Sequence, residues 1–150
     1  MSEAPVAGSN SANKYQLNDD QLAFLDSVRR FCRERIEPRA ADIDATSEFP
    51  IDLFKEMAAV GFMGAPYPEE WGGAACDAVM VCLLLEEVSR ASGAVGSSLN
   101  AHISLASSVI AGHGTAEQRH KYLVELTSGR KIGAFGLTEP SGGSNAAACR

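Results

Sequence analysis

Apolar residues recur at spacings of three and four through Leu22, Leu25, Val28, Phe31 or Cys32, and Ile36, which predicts an amphipathic helix over about 19–44. Asn18 and Gln21 provide a capping-box variant at its start. Pro38 falls inside the pattern, lacks an N–H and clashes with the preceding turn, so the helix should kink or break near Glu37. The interleaved Arg29, Arg30, Arg33, Glu34 and Arg35 read as its solvated face. A second helix is expected from about Pro50 to Gly61, with Leu53, Phe54, Met57 and Val60 as its apolar stripe.

The following stretch, APYPEEWGGAACD, carries the prolines and glycines of a loop. Asp77 can cap a third helix over 78–91, and the run 79–85 is apolar on every face, a pattern that suits the middle of a helical bundle. A fourth helix, about 95–111, is rich in Ala, Ser and Gly, so neighbouring backbones can approach it closely. Thr115 and Gln118 form the capping box of a fifth, which should end before Gly129. After Arg130 the pattern changes. Ile132, Ala134, Phe135 and Leu137 make a short strand-like stretch that ends in a turn at Glu139-Pro140. The coarse expectation is an all-α unit followed by a single strand, whose backbone groups would need a partner.

Composition narrows the class. The chain has 150 residues, 45% hydrophobic and 21% charged, with a net charge of −6. These are the proportions of an ordinary globular domain. Its basic residues are interleaved with acids, which argues against nucleic acid as the main partner. No apolar run approaches the roughly 18 residues of a membrane span. Cys32, Cys76, Cys82 and Cys149 show neither C-x-x-C pairing nor zinc-ligand spacing, and read as reduced thiols in a cytoplasmic protein. Residues 1–15 read as a flexible tail with neither a signal-peptide nor a transit-peptide pattern. His102 lies among small residues and reads as a packed or solvated side chain rather than a catalyst, and His113 and His120 receive no role.

The last loop, TEPSGGSN, has the chemistry of a polar ligand contact. The Thr138 hydroxyl and its neighbouring amides can donate, Gly142 and Gly143 let a ligand approach the backbone, and Ser144 adds a hydroxyl suited to phosphate. Neither a P-loop nor a dinucleotide fingerprint is present.

GAFGLTEPSGGSN resembles the signature segment of the acyl-CoA dehydrogenases, G-A-[FL]-x-[LM]-[ST]-E-P-x-x-G-S-D. Three upstream stretches resemble that family in the same order. They are LNDDQLAFLDSVRRFCRERIEPRAADID, VGFMGAPYPEEWGG, and GTAEQRHKYLVELTSGRKIGAFGLTEP. The resemblance spans essentially residues 16–150. It implies an N-terminal helical bundle domain over 16–131, followed over 132–150 by the first strand and ligand loop of a middle β domain whose remainder is absent from the chain.

The resemblance further implies FAD as cofactor, with Phe135, Leu137 and Thr138 bordering the flavin and Ser144 contacting the acyl-CoA substrate. The implied reaction is α,β-dehydrogenation of an acyl-CoA thioester, in which a glutamate takes the α proton and the β hydride passes to the flavin. Electrons then leave to an electron-transfer flavoprotein, and a complete family member would be a homo-oligomer. The base glutamate is expected beyond residue 150, so no catalytic residue is assigned within the chain and the isolated chain is expected to be inactive. Glu139 is expected to shape the turn. Asn145 departs from the family pattern by replacing an Asp, with loss of a charge. The alternatives are a non-enzymatic helical module, or a piece of a related flavoprotein such as an acyl-CoA oxidase.

Overall fold

The computed structural model describes residues 16–148, so the expected tail and Cys149 lie outside the described residues. The first helix, α1, runs Asp19–Phe31. The Asn18 side chain accepts from the Gln21 amide at 2.8 Å, and Gln21 Oε1 accepts from the Asn18 amide at 3.1 Å, closing the expected capping box. Gln21 also donates to Asp77 at 2.8 Å, and Asp77 accepts from the Met80 amide. Two helix starts are thereby tied together through residues 56 positions apart in sequence.

The disturbance expected at Pro38 is spread over two changes of winding. A π stretch, Cys32–Ile36, lets the Glu37 amide donate to the Cys32 carbonyl, and a 3-10 turn, Glu37–Arg39, holds the proline near its start. There the missing N–H costs least. Helix α2, Ala40–Thr46, completes the rod. Helix α3, Ile51–Ala59, follows Pro50, which sits one place before the helix rather than in its first turn. Gly61, at φ 81°, takes the left-handed conformation that ends this segment.

Helix α4, Ala78–Ala91, and helix α5, Gly93–Asn100, share Ser92 as their junction. The Ser92 hydroxyl accepts from the Val95 amide, so α5 begins two residues earlier than its apolar pattern suggests. The two helices meet where Gly96 faces Ser89. A Cβ at 96 would lie 2.6 Å from the Ser89 Cα, so only glycine permits that approach. The chain continues through a π stretch, Ala101–Ser107, into α6, Ser108–His113. Helix α7, Ala116–Gln118, a π stretch Arg119–Leu123 and α8, Val124–Thr127, form the last rod, opened by the expected Thr115–Gln118 capping box.

The core joins Val28, Cys32 and Ile36 of the first rod to Leu53, Phe54 and Met57 of α3, Leu84 and Val88 of α4, and Leu99 and Ile103 of the α5 rod. Burial pushes the Cys32 thiol up to about 11, so it packs as an apolar group and is no nucleophile. Helix α4 departs from the expected central position. Leu84, Glu87 and Val88 are buried, whereas Val79 is 43% exposed and Cys82 is exposed, because α1 and α5 cover only one side of it. Glu87 on the covered side is held by Arg29 at 2.7 Å and by Arg90.

The loop between α3 and α4 is anchored by Tyr67, whose hydroxyl donates to the Ile103 carbonyl inside the π stretch. Burial of this phenol pushes its pKa up to about 12, so it stays a donor. Tyr67→Phe would remove this buried bond at a cost of about 0.5–1.5 kcal/mol, read as a lower melting temperature with unchanged helix content. An unchanged melting temperature would show that the bond contributes nothing.

Candidate functional site

The segment that carries the expected site residues leaves the helical body at the end of α8. Gly129, at φ 67°, reverses the chain, and its bare Cα lets it pass Ala58, whose Cβ would lie 2.2 Å from any side chain there. The Lys131 amide donates to the Glu125 carbonyl at 3.0 Å. Two residues later the Gly133 amide donates to His102 Nδ1 at 2.9 Å. His102 is fully buried in the α5 rod. Burial lowers its pKa, opposed by the carbonyls of Met63 and Leu126, which favour a proton on the ring. Because Nδ1 accepts, the neutral ring carries its proton on Nε2, which has no hydrogen-bond partner among the described residues.

Beyond Gly133 the chain is neither helix nor strand up to the turn, and it joins no sheet among the described residues. The amides of Ala134, Phe135, Gly136 and Thr138 make no hydrogen bond among the described residues. Phe135 is 46% and Leu137 40% exposed, large values for residues of this size. A two-residue turn follows. Glu139 and Gly142 exchange both backbone hydrogen bonds at 3.0 Å across Pro140 and Ser141, and Gly142 stands at φ 141°. The backbone of Glu139 thus builds the turn.

Thr138 is brought against Gly143, where a Cβ would lie 2.5 Å from the Thr138 hydroxyl oxygen. Of the expected site residues, Phe135, Leu137 and Thr138 share the irregular run before the turn, while Ser144 lies past the turn and is exposed. His102 was absent from the expected set. The available signal was a histidine among small residues, but its glycine partner lies 31 positions away in sequence.

The donor set fits the flavin expected here. Free amides at 134–136 and 138, a hydroxyl at 138 and open space around Gly136 match a planar ring edge rich in carbonyls. No group of three or more His, Cys, Asp or Glu that could hold a metal ion occurs among the described residues. No helix among them is long and apolar enough to cross a membrane. A separate groove of about 440 Å³, bordered by Val109, Ile110, His113, Gly114, Gln118 and Tyr122, contains none of the expected site residues.

A helical domain with this exit segment is the N-terminal domain of an acyl-CoA dehydrogenase, and the profile of that domain matches residues 18–130. The short-chain specific acyl-CoA dehydrogenase of Clostridium acetobutylicum is 43% identical over 134 residues, covering 89% of this chain and 35% of the relative. Among solved structures, a chain from the electron transferring flavoprotein study of Acidaminococcus fermentans superposes with a TM-score of 0.85 at 36% identity, covering 89% of this chain and 35% of its own length. An acyl-CoA dehydrogenase of Bacillus anthracis complexed with FAD gives 0.82 at 33% identity, covering 88% and 22%. The chain belongs to the acyl-CoA dehydrogenase family. It spans about a third of the length of the curated relatives it matches.

Proposed function

We propose that the chain forms the helical wall and first flavin-facing segment of an FAD-dependent acyl-CoA dehydrogenase acting on acyl-CoA thioesters. The carrying observation is the run of unengaged amides at 134–136 and 138 beside the Thr138 hydroxyl, on a segment that leaves the helical body with Phe135 and Leu137 exposed. Phe135 and Leu137 would cover the flavin, and Thr138 with the adjacent amides would donate to its carbonyl edge. Fixed donors at that edge stabilise negative charge that builds on reduction. Bound there, the flavin supplies the acceptor for the hydride lost from the acyl β-carbon. Ser144 would contact the acyl-CoA beyond the turn. No residue of the chain is assigned as the base that removes the α proton. An electron-transfer flavoprotein as electron acceptor and a homo-oligomeric assembly complete the reading. The free thiols of Cys32, Cys76 and Cys82 suit a reducing cytoplasm.

The test exchanges this chain for the matching N-terminal third of the Clostridium acetobutylicum relative. The chimera should purify with flavin at the parent's ratio and lose flavin absorbance on addition of a short acyl-CoA. Gly143→Ala, which drives the Thr138 hydroxyl from its place, should weaken flavin retention about tenfold, equivalent to one charge-assisted hydrogen bond. A folded chimera with parent-like assembly and no flavin would overturn the proposal.

A further inference from the structure

We infer that His102 is a positioning residue that holds residues 133–138 against the helical body and so aims the donors at Gly136 and Thr138; the aim, though not the hold, rests on the function proposed above. Among hydrogen bonds between described residues, the one from the Gly133 amide to His102 Nδ1 joins this segment to the body. The turn beyond it is closed by the paired backbone bonds of Glu139 and Gly142.

The contact is shaped from both sides. Gly133 must lack a side chain, because a Cβ there would lie 2.6 Å from the Ala106 Cβ and 3.4 Å from Leu126. His102 and Ala106 stand one turn apart on the same rod, so one helix face supplies both the acceptor and the space for the backbone to reach it. The acceptor is fully buried, where water cannot replace it for the Gly133 amide. Burial also favours the neutral ring, which keeps Nδ1 open to accept. The flanking Lys131 bond to Glu125 sets the chain's exit, and the His102 bond then sets its direction.

Two substitutions separate holding from filling space. His102→Leu fills the cavity but removes the acceptor. His102→Asn leaves a little space but places a carbonyl oxygen near the position of Nδ1. Amide hydrogen exchange of the chain itself, resolved by NMR at Gly133, reads the tether without any flavin. His102→Leu should speed Gly133 exchange at least about tenfold, while Val28 and Leu99 amides keep their rates, and His102→Asn should restore protection to within about threefold. Equal Gly133 protection in all three proteins would overturn the tether. Should His102→Leu not fold, exchange in His102→Gln, whose oxygen reaches further and should hold Gly133 less well than Asn, gives the same comparison.

The aiming step is read in the chimera described above. His102→Leu should lower flavin retention about tenfold and His102→Asn should recover it. Loss of Gly133 protection with unchanged flavin retention would overturn the aiming role, provided Gly143→Ala does weaken retention. If Gly143→Ala is silent as well, the flavin-facing assignment of the segment fails and the tether stands.

Discussion

Gly73→Ala is expected to lower the melting temperature of this domain by about 10 °C. Its Cβ would fall 1.9 Å from the Tyr67 carbonyl oxygen, 2.4 Å from the Tyr67 carbonyl carbon and 2.7 Å from the Gly64 oxygen. These are backbone atoms, so no rotamer change relieves the clash. They are also held in place. The Tyr67 amide donates to Gly64 at 3.0 Å, the Ala75 amide to Tyr67 at 2.9 Å, and the Gly73 amide to Pro68 at 3.0 Å. Making room means breaking bonds of this loop and with them the seat of Tyr67, whose hydroxyl reaches Ile103. Overpacking plus lost hydrogen bonds together cost at least about 3 kcal/mol, and a domain of this size loses roughly 2–4 °C per kcal/mol. Gly72→Ala is the control. Unlike Gly73 it stands at positive φ, 76°, and its Cβ would meet only the Thr127 hydroxyl, at 3.2 Å. Its cost should be about 1 kcal/mol. Thermal melts followed by circular dichroism compare the two, and equal shifts would show that the backbone clash at 73 costs no more than the positive φ at 72.

The contrast between these two adjacent glycines shows what could and could not be read from the chain. GG after PYPEEW announces a loop, and that much was legible. Which of the two glycines meets backbone depends on Gly64 and Tyr67 folding back over them, which is a tertiary fact. The same division runs through the helices. Helix existence, the Asn18 and Thr115 caps and the disturbance at Pro38 follow from local chemistry and were legible. The π windings at Cys32–Ile36 and Ala101–Ser107 were not, because a single looser turn leaves apolar spacings of three and four nearly intact. The start of α5 was missed because Ser92 does its capping through its hydroxyl, ahead of any apolar stripe.

The site divides along the same line. The motif drew attention to Phe135, Leu137, Thr138 and Ser144 as a contiguous stretch, and contiguous stretches are what a chain displays. What aims the stretch is not contiguous with it. His102 is silent as a residue type because a buried histidine has many uses, and only its distance to Gly133 separates a tether from filling. The burial of α4 was overestimated for a related reason. Apolarity around a helix measures what could be covered, whereas α1 and α5 decide what is covered among the described residues.

Phe54→Ala is expected to remove about 3–5 kcal/mol, a large part of the roughly 5–15 kcal/mol that a domain of this kind holds. Phe54 is 1% exposed in the middle of α3, flanked by Leu53 and Met57, which are fully buried. Its ring centre lies 4.7 Å from that of Phe49, tilted by 32°, so one face is closed by an aromatic neighbour that is itself half exposed. That neighbour decides where in the range the cost should fall. A site walled only by core residues keeps its cavity, whereas Phe49 stands at the surface and can tip inward to fill part of the space. The lower half of the range, about 3–4 kcal/mol, is therefore expected for the single substitution. Phe49→Ala combined with Phe54→Ala removes both rings, and its cost should fall short of the sum of the two single costs, since each alone already breaks the ring pair. In urea, where slopes of about 2 kcal/mol per molar are ordinary, the Phe54→Ala midpoint should drop by about 1.5–2 M. Ile51→Ala, one turn earlier and 48% exposed, should move it by less than about 0.5 M. Comparable shifts for Ile51 and Phe54 would mean that α3 does not bury the face assigned to it. A shift confined to Phe54 would fix α3 as the helix that seals the core beneath the first rod.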